Sequence, residues 1–153
     1  MSILLDTNLL ARLAQPSHSM YAAAANAVDE LLKLDVILYI TPQNFYEFWV
    51  VATRPEAQNG LGFTPAQAQA ELARLKAIFI LLDDTPAVLP QWERLVTQHQ
   101  VIGKNAHDAH LVAAMLVHGI NQILTFNVSD FRRYQNIVVL DPRQIVASQP
   151  PSP

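Results

Sequence analysis

Short apolar runs alternating with helix-length segments set the tightest limit on how this chain folds. Ile3 to Leu5, Val36 to Ile40, Ile78 to Leu82, Gln122 to Thr125 and Ile137 to Leu140 read as strands. Each is too short to be a helix, and the segments between them carry apolar residues at helical spacing. Strands alternating with helices build a right-handed, mainly parallel sheet covered by helices on both faces. The expected fold is therefore one three-layer α/β domain over residues 1–147, followed by a short flexible tail over 148–153.

Local signals place the helices. Leu9, Leu10 and Leu13 form a short helical face that Pro16 ends. Ser17 or Ser19 is expected to cap the next helix, whose stripe is Met20, Ala24, Ala27, Val28, Leu31 and Leu32. Thr41-Pro42 gives a cap followed by proline at the first helical position. The helix it opens, to about Arg54, is apolar nearly all round (Phe45, Tyr46, Phe48, Trp49, Val50, Val51), as an interior or interface helix would be. Asn59-Gly60-Leu61-Gly62 reads as a flexible loop. Thr64-Pro65-Ala66-Gln67 is a capping box opening a helix to about Ala77. Pro90 pushes the start of the next helix from Thr85 toward Leu89, and Trp92, Leu95 and Val96 supply its apolar face. A further helix runs from His107 to His118.

The two innermost apolar runs both end in polar side chains. Leu4-Leu5 leads into Asp6-Thr7-Asn8, and Ile123-Leu124 leads into Thr125-Phe126-Asn127-Val128-Ser129-Asp130. Open α/β sheets bind ligands outside the carboxyl ends of their strands. Two strands that each run out into a carboxylate suggest a shared cation.

Of the 13 acids, nine sit where a solvated carboxylate is unremarkable, Glu30 among them. The other four do not. Asp6 lies between Leu4-Leu5 and Leu9-Leu10, and Glu47 within Phe45-Tyr46-Glu47-Phe48-Trp49. Asp108 has the core stripe Leu111, Val112, Met115 and Leu116 at its own helical spacings, and Asp130 precedes Phe131 just after a buried strand. A buried ionised carboxylate costs several kcal/mol unless it is paired or ligates a metal. Carboxylate oxygens in a chain without cysteine suit Mg²⁺ or Mn²⁺. Each acid also has a plainer reading. Asp6 suits a helix cap, Asp108 a first-turn acid answering the helix dipole, and Asp130 a turn residue. Glu47 fits no such role, because a glutamate midway along an apolar helix needs a partner.

His107 and His110 are three apart, but no third nitrogen or sulfur ligand is near, so they read as surface or substrate contacts and not as a zinc site. Arg12, Arg54, Lys104, Arg132 and Arg133 flank the acids and are candidates for phosphate contacts, with scattered surface charge as the alternative. No G-x-x-x-x-G-K-[ST] or G-x-G-x-x-G motif is present, which argues against phosphate-cradling nucleotide loops. With no cysteine and only 15% charged residues, the chain reads as a globular cytoplasmic protein without disulfides. No apolar run approaches the ~18 residues of a membrane span, and a strand starting at Ser2 leaves no room for a signal peptide. The net charge of −3 is unusual for a nucleic-acid binder, but setting the four acids aside as ligands leaves nine acids against ten lysines and arginines.

The ordered set Leu5-Asp6-Thr7-Asn8, Glu47, Asn105-Ala106-His107-Asp108-Ala109 and Thr125-Phe126-Asn127-Val128-Ser129-Asp130-Phe131 resembles the PIN domain family, of the kind found as the toxin in VapBC-type toxin–antitoxin pairs. The resemblance covers almost the whole chain. It implies a PIN-like fold and an Mg²⁺- or Mn²⁺-dependent endoribonuclease, with Asp6, Glu47, Asp108 and Asp130 as metal ligands and Thr125, Asn8 and Asn127 in orienting roles. It implies hydrolysis of RNA to a 5′-phosphate and a 3′-hydroxyl without a covalent intermediate. It also implies two protein partners, a small cognate antitoxin and a second copy in a homodimer.

Two other classes compete. An acid after the first strand also suits an aspartate-based phosphatase or a phospho-receiver domain, although haloacid-dehalogenase-like phosphatases place a second aspartate where Asn8 stands. A non-catalytic PIN-like interaction module is the other, against which the complete acid set argues. If four acids crowd one site, they repel, and replacing Asp6 with asparagine is expected to relieve part of that repulsion.

Overall fold

A computed structural model describes residues 1–145, so the tail expected over 148–153 lies outside the described residues. The strands are β1 (Ser2–Leu5), β2 (Ile37–Ile40), β3 (Ile80–Leu81), β4 (Gln122–Leu124) and β5 (Val138–Leu140). They form one parallel sheet in the order β3-β2-β1-β4-β5. The helices are α1 (Thr7–Leu13), α2 (Tyr21–Lys33), α3 (Pro42–Thr53), α4 (Pro65–Ile78), α5 (Val88–Gln98), α6 (Asn105–Val117) and the single turn α7 (Val128–Phe131).

Side chains alternate faces along a strand, and this sheet feeds two cores. Ile3 and Leu5 of β1, Leu38 and Ile40 of β2 and Leu124 of β4 pack with α1 to α4. Leu4 and Ile123 point the other way, into a core made with α5 and α6 through Leu95, Leu111, Val112 and Met115. The result is the expected three-layer α/β architecture. β1 lies at its centre, in register with β4 through Leu4–Ile123 and Leu5–Leu124. Past the strand ends the ladder continues, with Asp6 N–H donating to Leu124 O and Thr125 N–H to Leu140 O, both at 3.0 Å. Asp6 and Thr125 are thus fixed side by side at the carboxyl edge.

Several local expectations need correction. Neither Ser17 nor Ser19 caps α2; its cap is Met20, whose N–H donates to His18 Nδ1 at 3.0 Å. Leu32 faces solvent, while Glu30 is buried beside Lys33 and is not a solvated acid. The last turn runs straight into the left-handed Asp35 (φ 58°), which turns the chain into β2. The Asn59–Gly62 segment is no flexible loop. It folds back on the end of α3, with Leu61 N–H to Val51 O, Gly62 N–H to Arg54 O and Phe63 N–H to Ala52 O, each within 2.9 Å. Gly60 is required there because a Cβ would lie 2.0 Å from Arg54 O. The start expected near Leu89 does hold: α5 begins at Val88, and Pro90 is its third residue, where no intrahelical N–H bond is needed. α7, where the sequence suggested only a loop, carries Asp130.

This folded-back segment gives a test. Gly60→Ala must push backbone against backbone, and is expected to lower stability by about 2 kcal/mol in urea unfolding. A midpoint equal to the wild type's would show that the segment yields freely.

Candidate active site

Asp6 is the buried centre of the carboxyl edge, only 6% exposed. It does cap α1, its Oδ1 accepting from Thr7 N–H at 2.7 Å. Its other oxygen, Oδ2, accepts from Thr125 Oγ1 at 2.7 Å and from Asn8 Nδ2 at 3.3 Å. The Thr125 hydroxyl, fully buried, also accepts from Asn8 Nδ2 at 3.2 Å and from Asn127 N–H at 2.9 Å. Asn8 Oδ1 accepts from Phe126 N–H at 3.3 Å. The strand ends of β1 and β4 are thereby laced together through Asp6, Asn8 and Thr125. The exposed Asn127 contributes its backbone N–H and not its amide.

Glu47 reaches the same edge from α3. Its Oε1 accepts from Thr7 Oγ1 at 3.0 Å and from Gln43 Nε2 at 3.2 Å, while Oε2 accepts no bond from any described residue. Sequence reasoning missed the groups that hold it. Asn44, fully buried, donates to Leu5 O and to Thr7 Oγ1, both at 3.1 Å, and its Oδ1 accepts from the N–H and hydroxyl of Thr41. Gln43 Nε2 also donates to His107 O at 2.7 Å, and its Oε1 meets His110 Nδ1. The available signal was polar Gln43-Asn44 opening an otherwise apolar helix.

Asp108, in the first turn of α6, and Asp130, in α7, are half-buried and accept no hydrogen bond from any described residue. Their charges reach the others. Burial pushes the Asp6 carboxyl up to about 6, the bonds from Thr125 and Thr7 oppose this, and repulsion from Glu47 and Asp130 adds to it. Burial likewise pushes Asp108 up to about 7, reinforced by repulsion from Asp6, Asp130 and Glu47 and opposed by Lys104. The four predicted acids therefore share one electrostatic site. Among the described residues, none of the four forms an ion pair, and no three histidine, cysteine, aspartate or glutamate side chains converge into a ready-made ion cage. His107 is exposed, and His110 Nδ1 is turned to Gln43 Oε1.

The candidate cations divide. Arg12 bonds Gln15 at 3.0 Å and lies beside His18. Arg132 shares a separate groove with Asn127, Ser129 and Arg143. Lys104 acts on Asp108, and Arg54 lies along α3 from Glu47.

A family model for the PIN domain matches residues 3–137, a span that includes this edge of the sheet. The chain belongs to the PIN domain family. No protein of curated function matches its sequence. Among solved structures, this PIN domain is similar to VapBC2 from Rickettsia felis bound to a DNA fragment from its promoter (TM-score 0.69, 16% identity, 92% of this chain and 98% of that one). It is similar to VapBC-1 from nontypeable Haemophilus influenzae (0.68, 15%, 94% and 100%). A third is VapC20 from Mycobacterium tuberculosis, described as a sarcin-ricin loop cleaving toxin (0.64, 18%, 86% and 95%). At these identities the likeness is one of fold. No helix among the described residues is long and apolar enough to cross a membrane.

The site geometry redirects the amide substitution. Asparagine at position 6 would turn an NH₂ toward two donors, Asn8 Nδ2 and a Thr125 hydroxyl whose acceptor sites are already filled. Asp108 accepts no bonds, so Asp108→Asn relieves repulsion without that loss. The pH dependence follows from the same charges. Asp6 and Asp108 have higher pKa values folded than unfolded, so their stabilisation is complete below about pH 4 and is lost as pH rises through 6 and 7. The metal-free protein is expected to be less stable at pH 8 than at pH 5, by on the order of 2 kcal/mol. Asp108→Asn should flatten that slope. A melting temperature that rises from pH 5 to pH 8 in EDTA would contradict it.

Proposed function

We propose that this PIN domain is a divalent-metal-dependent endoribonuclease acting as the toxin of a VapBC-type toxin–antitoxin pair. The observation that carries the reading is that Asp6, Glu47, Asp108 and Asp130 lie within electrostatic reach of one another at the carboxyl edge of the sheet, with no ion pair to any of them among the described residues. The donor set fits Mg²⁺ or Mn²⁺. Carboxylate oxygens are hard ligands, and Glu47 Oε2, Asp108 and Asp130 accept no hydrogen bond from a described residue. The absence of a closed cage suits an ion that keeps several waters and takes only one or two carboxylates directly. When bound, the ion supplies positive charge against the phosphate oxygens that gain negative charge during hydrolysis.

The protein's own groups divide the remaining work. Thr125 and Asn8 orient Asp6, and Thr7 and Gln43 orient Glu47, so that neither carboxylate turns away from the other acids. Asp108 and Asp130, with unengaged oxygens, complete the negative site, and a bound cation would relieve the repulsion that raises Asp108. No side-chain nucleophile is required, and none is buried at the edge apart from the threonines committed to hydrogen bonds.

The VapBC complexes among similar folds support a small antitoxin as partner, and VapC20 supports RNA as the substrate class. A second copy as partner is supported by the partly exposed apolar residues Trp49 and Leu81, which line one open groove beside α3. A cytoplasmic location is part of the same reading.

Purified protein should cleave RNA with Mg²⁺ or Mn²⁺ and stop on addition of EDTA. Asp108→Asn should lose activity by at least two orders of magnitude. It should also lose most of the rise in melting temperature that Mn²⁺ gives the wild type, because an ion held only by the native state stabilises in proportion to its affinity. Undiminished cleavage in EDTA would sink the metal-dependent reading. A manganese shift unchanged by Asp108→Asn would remove Asp108 from the site.

A further inference from the structure

Arg54 is a half-buried cation with no partner. Its Nε is shielded from solvent and unbonded, and its guanidinium meets no acceptor and no carboxylate among the described residues. Lys33, Arg74 and Arg143 are each paired with an acid, and Arg12 with Gln15. Arg94, Lys104, Arg132 and the half-buried Arg133, like Arg54, make no hydrogen bond or ion pair with a described residue. What sets Arg54 apart is a shielded Nε without a bond. A buried donor left unsatisfied costs about 1–3 kcal/mol, and because the shielded Nε is out of a ligand's reach, a ligand in the adjoining groove would meet the terminal nitrogens of the guanidinium.

The surroundings indicate which ligand. Arg54 ends an open groove of about 450 Å³ along α3, lined by Gln43, Tyr46, Glu47, Val50 and His107. Gln43, Glu47, Val50 and Arg54 recur every three or four residues on one helical face. Glu47, one of the acids of the candidate active site, therefore lies two turns from Arg54, roughly 10 Å along the axis. The groove's wall is Tyr46, an aromatic ring 68% exposed; of the other rings on this helix Phe45 and Phe48 are buried, and the partly exposed Trp49 lies outside this groove. A cation for a phosphate, an exposed ring for a base and a direct run to the acid cluster make up the equipment of a single-strand track.

We propose that this groove seats the RNA strand leading away from the cleaved bond, with the Arg54 guanidinium on a phosphate and a base against Tyr46. The assignment rests on the ribonuclease reading above and extends it to the path of the substrate. Trp49 and Leu81 lie on the opposite side of Tyr46, against Phe45 and Lys76, and leave the Arg54 side free when a protein partner covers them.

The test uses a fluorescent single-stranded oligoribonucleotide, bound in EDTA and cleaved in Mn²⁺, with wild type, Arg54→Gln, Tyr46→Ala and Tyr46→Phe. Arg54→Gln should weaken binding about fivefold or more and reduce the slope of log affinity against log salt by about 0.7. Tyr46→Ala should weaken binding about tenfold, and Tyr46→Phe should restore it, because the ring and not the hydroxyl is used. In cleavage, KM should rise while kcat holds. Melting and sizing accompany each variant; Arg54→Gln removes an unpaired group and should not lower the melting temperature. If the wild type cleaves RNA and both Arg54→Gln and Tyr46→Ala bind and cleave equally well, the groove is not the track and the nuclease reading survives. If the variants change the sizing profile but not RNA affinity, the groove belongs to a second copy and the inference fails. If the wild type neither binds nor cleaves RNA, both readings fall together.

Discussion

The side-chain amide of Asn44 holds together the elements from which the acid site is built. All four of its hydrogen-bonding positions are used inside the protein, on Leu5 O, Thr7 Oγ1, and the N–H and hydroxyl of Thr41. Leu5 and Thr7 flank Asp6, and Thr41 caps the helix that carries Glu47. One buried amide therefore sets the distance between the central strand and α3. A fully satisfied buried amide is inexpensive and directional, whereas any displacement strands at least one polar group. The placement of Glu47 relative to Asp6 inherits that stiffness.

The same edge concentrates charge that the protein does not neutralise. Asp6 is held by a dense set of donors, from Thr7, Asn8 and Thr125, which partly offset its burial. Asp108 has no such support and its carboxyl is pushed higher. The two acids differ in what surrounds them rather than in kind, and such differences separate a fixed anion from a group that exchanges protons near neutral pH. Folding stability is given up at this edge, as is common where residues are arranged for ligands rather than for packing.

What the sequence made legible was what short-range rules control. Thr41-Pro42 and Thr64-Pro65 open helices where the cap chemistry places them, and the alternation of Ile3, Leu4 and Leu5 between two cores follows from the strand period alone. The four acids were visible because apolar neighbours made their burial costly. The groups that hold them were not, since Thr7 to Glu47, Asn44 to Leu5 and Thr125 to Asp6 join positions distant along the chain. Ser17 and Ser19 mislead because His18, between them, supplies the bond instead. Asn59–Gly62 looks loose by composition, yet its glycines permit close backbone contact with α3. The single turn α7 is too short for any periodicity to show.

The strand order β3-β2-β1-β4-β5 also sets a schedule. β1 pairs early with β2, but its other edge waits for β4, more than a hundred residues later in the chain, and distant pairings of this kind close late in folding. Until β4 arrives, Asp6 lacks the Thr125 hydroxyl, and Asp130 is not yet in place. A chain still emerging from the ribosome owns Asp6, Glu47 and even Asp108 without owning a site. A segment that stops short of β4 cannot form the bond between Asp6 and Thr125, whatever other acids it carries.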